Sequence, residues 1–171
     1  MEYSTQGQTA GGRYAQLQSA RSTFDREAKE SSKLTIPSLI PESTTGTRAK
    51  IKTPFQAVGA RGVNSLASKL LFALLPPSTA FFKLSIDSLE LLKQGQEGLE
   101  TEIDKGLRTI ETALMNEIEI SNDRVAMFEA LKHLIVGGNV LLYLTDDGLK
   151  VYPLSKFVCK RDAVGNVLEI I

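Results

Sequence analysis

The chain has one cysteine, Cys159, and one histidine, His133, in 171 residues. A lone cysteine excludes an intramolecular disulfide framework and a cysteine-rich zinc site, and a lone histidine excludes a two-histidine metal site within one chain. Tryptophan is absent and aromatic residues make up 6%, which argues against a stacking surface for single-stranded nucleic acid. The longest strictly apolar run covers residues 70–77, far short of the roughly 20 residues of a membrane-spanning helix. The start, Met1-Glu2-Tyr3-Ser4, has neither the basic nor the apolar region of a signal peptide. These absences describe a soluble protein made in the cytoplasm, with no metal, no cofactor and no membrane contact.

Net charge is also absent, but only in total: 20 Lys and Arg balance 20 Asp and Glu. Residues 1–85 carry 11 basic and 5 acidic side chains, whereas residues 86–171 carry 9 and 15. One half is therefore at +6 and the other at −6, an asymmetry that points to an anionic partner for the basic half. Hydrophobic content of 42% and charged content of 23% are those of an ordinary globular domain.

Residues 1–12 are polar and read as a flexible arm. A helix is predicted over 13–33, with Tyr14, Leu17, Phe24 and Ala28 near one stripe. Pro37 and Pro41 then enforce extended backbone, and residues 42–53 form a polar loop containing Arg48, Lys50 and Lys52. Thr53 as N-cap, Pro54 at the first helical position and Gln56 closing a capping box predict a helix over 54–75. Gly59 and Gly62 within it imply close approach to a neighbour. Its second half is apolar nearly all round, which implies burial on several sides. A strand is expected over 80–86 and a short helix with a Gly-broken turn over 87–98.

A long amphipathic helix is expected over 97–120, where Leu99, Ile103, Leu107, Ile110, Leu114 and Ile118 keep three- or four-residue spacing opposite an acidic face. Another helix, over 123–136, has Asn122 as its cap and ends at Gly137-Gly138. The remainder reads as two hairpins, turning at Asp146-Asp147-Gly148 and around residues 162–165. The fold class is α+β, with several amphipathic helices and a small antiparallel β region. The apolar run at 167–171 gives the expectation that the molecule continues or that only an N-terminal part is present.

No catalytic signature emerges. His133 has no Ser, Cys or Asp at a spacing that completes a triad, and reads as an ordinary packed or surface histidine. Cys159 reads as a structural thiol. Asp146-Asp147-Gly148 lacks the rest of a calcium-loop pattern and reads as a turn. Gly59-Ala60-Arg61-Gly62 has the spacing of a nucleic-acid-clamping Gly-x-x-Gly loop, but inside a capped helix that spacing serves packing. Arg48, Lys50 and Lys52 are the candidate phosphate contacts, against the alternative of a solvated basic loop.

Four blocks carry a resemblance. They are Leu34-Thr35-Ile36-Pro37-Ser38-Leu39-Ile40-Pro41, the stretch Thr53 to Leu70, Phe128-Glu129-Ala130-Leu131-Lys132-His133-Leu134-Ile135-Val136-Gly137-Gly138-Asn139-Val140-Leu141-Leu142-Tyr143-Leu144, and Arg161-Asp162-Ala163-Val164-Gly165-Asn166-Val167-Leu168. Their order and spacing resemble those of the head-to-tail connector, or portal, proteins of short-tailed bacteriophages, from about residue 13 onward. The resemblance implies a non-catalytic subunit of a dodecameric ring at one capsid vertex of the virion, made in the host cytoplasm. It implies major capsid and scaffold proteins, terminase and tail adaptor proteins as partners, with double-stranded DNA in the channel. Family members are much longer, so residues 13–171 correspond to an N-terminal part of the wing, and channel-lining contacts cannot be assigned to named residues. The rival reading is a non-catalytic nucleic-acid-binding module that uses the basic loop 46–53.

Overall fold

A computed structural model describes residues 9–41, 53–77, 79–86 and 99–171. Its helices are α1 (Ala10–Ala20), α2 (Ser22–Leu34), α3 (Val58–Leu74), α4 (Leu99–Ile120) and α5 (Asp123–Gly137). Two antiparallel hairpins follow: β1 (Leu141–Thr145) with β2 (Gly148–Tyr152), and β3 (Cys159–Arg161) with β4 (Val167–Ile170). A single 3₁₀ turn, Leu154–Lys156, joins them. The α+β class is as expected.

Helix α5 is the hub, with α3, α2, α4 and β2 all packing on it. Ala130, Leu131 and Val136 of α5 are buried, as are Val63 and Ala67 of α3. Small side chains at Ala67 and Ala130 let the two helix backbones approach, which favours dispersion contact over side-chain bulk. A second cluster lies where the N-terminal helices meet the C-terminal segment: Ala28, Ile40, Leu154 and Phe157, with Leu39, Leu141 and Cys159 against it. Gly138 ends α5 at φ 70° in the left-handed region, where a Cβ would also come within 3.2 Å of the Phe24 ring.

The hairpins take the expected turns. β1 pairs with β2 from Leu141↔Tyr152 to Thr145↔Gly148. Asp123 Oδ1 accepts the Leu149 N–H at 2.8 Å, tying this hairpin to the first turn of α5. In the second hairpin, Asp162 Oδ1 accepts the N–H groups of Val164 (3.0 Å) and Asn166 (2.7 Å). The Asn166 side-chain amide also donates to Asp162 Oδ2 at 2.9 Å, and this bond, followed by the backbone ones, holds the Asp162 carboxyl below the usual carboxylate range.

Several expectations are corrected. The helix expected over 13–33 is two helices. The first starts at Ala10, because the Thr9 hydroxyl accepts the Gly12 N–H at 3.3 Å. The break falls at Arg21 (φ −91°, ψ 2°), whose guanidinium donates to the carbonyls of Phe157 (2.9 Å) and Leu154 (3.0 Å). The helix expected from Pro54 begins at Val58, with Ala57 at the cap and no side-chain bond. Residues 53–57 are exposed, so no packing offsets the cost of ordering an extra turn.

The expected close approach holds for Gly59, where a Cβ would collide with the Leu34 carbonyl oxygen, but not for Gly62, which has nothing within 4 Å. The second half of α3 is not buried on several sides: Leu66, Phe72 and Leu74 are exposed. Residues 80–86 make no strand ladder among the described residues. The Leu84 N–H donates instead to Glu111 Oε1 of α4 at 2.6 Å, and Phe81 and Phe82 pack edge to face at 5.2 Å. Asn122 is the N-cap residue of α5 as expected, but its side chain makes no capping bond; the Ser121 hydroxyl accepts the Asp123 N–H at 3.4 Å. The short helix expected over 87–98 lies outside the described residues.

Candidate functional site

His133 is buried in α5. Nδ1 has no hydrogen-bond partner, and Nε2 lies 3.8 Å from Glu129 Oε1. Burial lowers the imidazole pKa, against a smaller upward pull from Glu129 and a further downward push from Lys132. The group is thus held neutral inside a helix packing layer, which is the packed-histidine reading. Cys159 is a free, half-buried thiol beside the Ala28 and Phe157 cluster. Asp146 and Asp147 occupy a hairpin turn that Gly148 completes at φ 110°.

The basic candidates Arg48, Lys50 and Lys52 lie outside the described residues. Gly59-Ala60-Arg61-Gly62 is the first turn of α3. Among the described residues, no group of three or more His, Cys, Asp or Glu side chains could hold a metal ion. No helix among them is long and apolar enough to cross a membrane.

What the structure does bring together are polar ties between segments far apart in sequence. Arg13 of α1 donates to Glu169 of β4 through Nε (3.1 Å) and Nη2 (2.8 Å). This pairing raises the Arg13 pKa and lowers that of Glu169. The Arg21 guanidinium bridges two carbonyls near the second hairpin and sits 2.8 Å from Asp25 Oδ1. Arg124 Nη2 donates to the Pro76 carbonyl at 2.9 Å, linking α5 to the end of α3. Periodicity is blind to these partners; the only local signal is a charged residue close to an apolar stripe.

Large surfaces are left over. Apolar side chains are exposed on α3 (Leu66, Phe72), on α4 (Ile110, Leu114, Ile120) and along β1 (Tyr143, Leu144). Leu144 is 74% exposed and Ile120 81%, more than a scatter of single surface residues, and faces of this kind mark places where another surface docks.

The comparisons with known proteins agree. A family described as bacteriophage head to tail connecting protein matches residues 7–171. The chain is 43% identical to the portal protein of Escherichia phage T7 over 166 residues, covering 92% of the chain and 31% of that protein. It is 43% identical to the portal protein of Enterobacteria phage T3, over 92% of the chain and 30% of that protein. It is 31% identical to the portal protein of Enterobacteria phage SP6, over 100% of the chain and 33% of that protein. The chain thus spans about a third of the length of these relatives. With a match over residues 7–171 that takes in every described helix and hairpin, the chain belongs to the head-to-tail connecting, or portal, proteins of bacteriophages.

Proposed function

We propose that the chain forms part of the wing of a portal subunit that closes into a ring at one capsid vertex of the virion. Double-stranded DNA passes through that ring during packaging and ejection, and the ring is where the tail attaches. Twelve copies, assembly with capsid and scaffold proteins and docking of terminase are the family's expectation for such a ring. The role is structural, with ATP hydrolysis left to the terminase. One observation supports this reading above the others: a member of the connector family carries exposed apolar faces on two separate helices, α3 and α4.

Negative-stain imaging of the full-length product of the gene tests it. Closed rings with a central hole are expected. A population that stays monomeric at micromolar concentration across a range of salt would overturn it. Arg48, Lys50 and Lys52 are proposed to meet DNA phosphates. Changing all three to Ala should flatten the dependence of duplex DNA affinity on salt by up to about three units of log–log slope, and an unchanged slope removes them from the DNA contact.

A further inference from the structure

Two exposed helix stripes differ in charge. On α3, Val58, Leu66, Lys69 and Ala73 recur within three or four residues of one another or of Gly62, all exposed. They lie on the side away from Val63 and Ala67, which face α5. On α4, Ile110, Leu114, Glu117 and Ile120 follow the same spacing and are also exposed. The opposite side of α4, at Glu111 and Met115, is taken by the segment around Ala80 and Leu84. Both stripes are therefore free among the described residues, and each has one charge set among aliphatic groups, basic on α3 and acidic on α4.

The helices as a whole repeat the contrast. Helix α3 has two basic residues, Arg61 and Lys69, and no acidic one. Helix α4 has six acidic residues against two basic ones. A symmetric contact of α3 with α3 would bring two copies of Lys69 into one interface with no acidic residue of either helix to offset them, and α4 with α4 would gather two copies of Glu117 on faces already rich in acid. Like charges facing each other across an interface are unfavourable. The cross pairing has neither penalty and covers both apolar stripes.

We propose that the exposed face of α3 docks on the exposed face of α4 of a second copy of the chain, with Lys69 and Glu117 as the opposed charges. Because the two faces belong to different helices, the contact is head to tail, the heterologous kind that propagates around a ring. This rests on the ring reading above and names the surfaces that would carry it.

Charge reversal in the full-length protein tests the pairing, with assembly followed by sedimentation and negative-stain imaging. Lys69→Glu or Glu117→Lys alone is expected to raise the concentration for half-assembly by about tenfold or more. The two together should return it to near the original value. Both positions are exposed, so thermal melts of the subunit should be unchanged. Leu66→Gln and Ile110→Gln give a second pair of variants, expected to weaken assembly without charge reversal. If the original protein forms rings and all these variants assemble as it does, or if the double reversal fails to recover assembly, the α3–α4 contact is overturned while the ring reading stands. If the original protein never associates, the ring reading falls and this contact with it.

Discussion

Replacing Ser32 with Ala should destabilise the subunit by about 1.5–4.5 kcal/mol. Ser32 is fully buried at the end of α2. Its hydroxyl donates to the Ile36 carbonyl at 2.8 Å and accepts the Ile40 N–H at 3.1 Å. One side chain thus folds residues 36–40 back so that Ile40 enters the cluster with Ala28, Leu154 and Phe157. The two bonds are not equal. The Ile36 carbonyl also accepts the Leu39 N–H at 3.0 Å, so it stays paired when the hydroxyl goes, and its loss is an ordinary net bond of about 0.5–1.5 kcal/mol. The Ile40 N–H has no second acceptor among the described residues, and an orphaned buried donor costs about 1–3 kcal/mol. Urea unfolding gives the stability change, and for a chain of this size the melting temperature should fall by about 3–18 °C. Amide exchange should show lost protection at Ile40 in particular. Ser31→Ala is the control, since Ser31 is exposed and the Thr35 hydroxyl bonds its backbone carbonyl, which the substitution keeps. A Ser32→Ala variant within about 0.5 kcal/mol of the original, a shift typical of neutral surface changes, would refute the reasoning.

Three further outcomes are expected. Gly59→Ala should destabilise by about 1–3 kcal/mol, because its Cβ meets backbone of Leu34 and Thr35 that cannot simply rotate away. Gly62→Ala, in open space, should stabilise by about 0.5–1 kcal/mol; thermal melts that rank the two variants the other way refute this. Arg21→Lys should recover little of the loss seen in Arg21→Ala, since an ammonium cannot reproduce the planar fork on the Leu154 and Phe157 carbonyls; paired urea melts decide it. His133 has a pKa below its ordinary 6.5 when folded, so the unfolded chain binds the proton more readily. Stability from this group is fully present above about pH 6.5 and is lost as pH falls toward the lowered folded value. Urea midpoints from pH 8 to 5 should show this slope, and His133→Leu should flatten it.

Elements whose ends and partners are local were legible in the sequence. Helices α4 and α5 follow from aliphatic spacing, and the hairpins from Asp146-Asp147-Gly148 and from Asp162 with Gly165. The errors share a cause in tertiary context. Capping residues at 53–56 predicted a helix start that no packing supports. Alternation at 80–86 predicted a strand, but the partner that received Leu84 was a carboxylate on a helix. The break at Arg21 has no Pro or Gly to announce it; its cause lies 133 and 136 residues away. For the candidate site, burial of His133 and the turn role of Asp146 and Asp147 agree with their plain readings. The apolar ring of α3 was legible as a pattern, but not the choice of side, because Val63 and Ala67 rather than the bulkier Leu66 and Phe72 turn toward α5.

The Arg21 junction also sets a schedule for synthesis. Helices α1 and α2 are made before Leu154 and Phe157, which receive Arg21, complete the cluster around Ala28 and are separated from Arg21 by 133 and 136 residues. At about 5–20 residues per second, the ribosome leaves the helix pair without those partners for roughly 7–27 s. During that interval Phe24, Ala28 and Ile40 are open to any passing apolar surface, including nascent copies on the same message. The sequence separation of the Arg21 bonds therefore leaves the inner face of α2 without its partners until residue 157 has emerged.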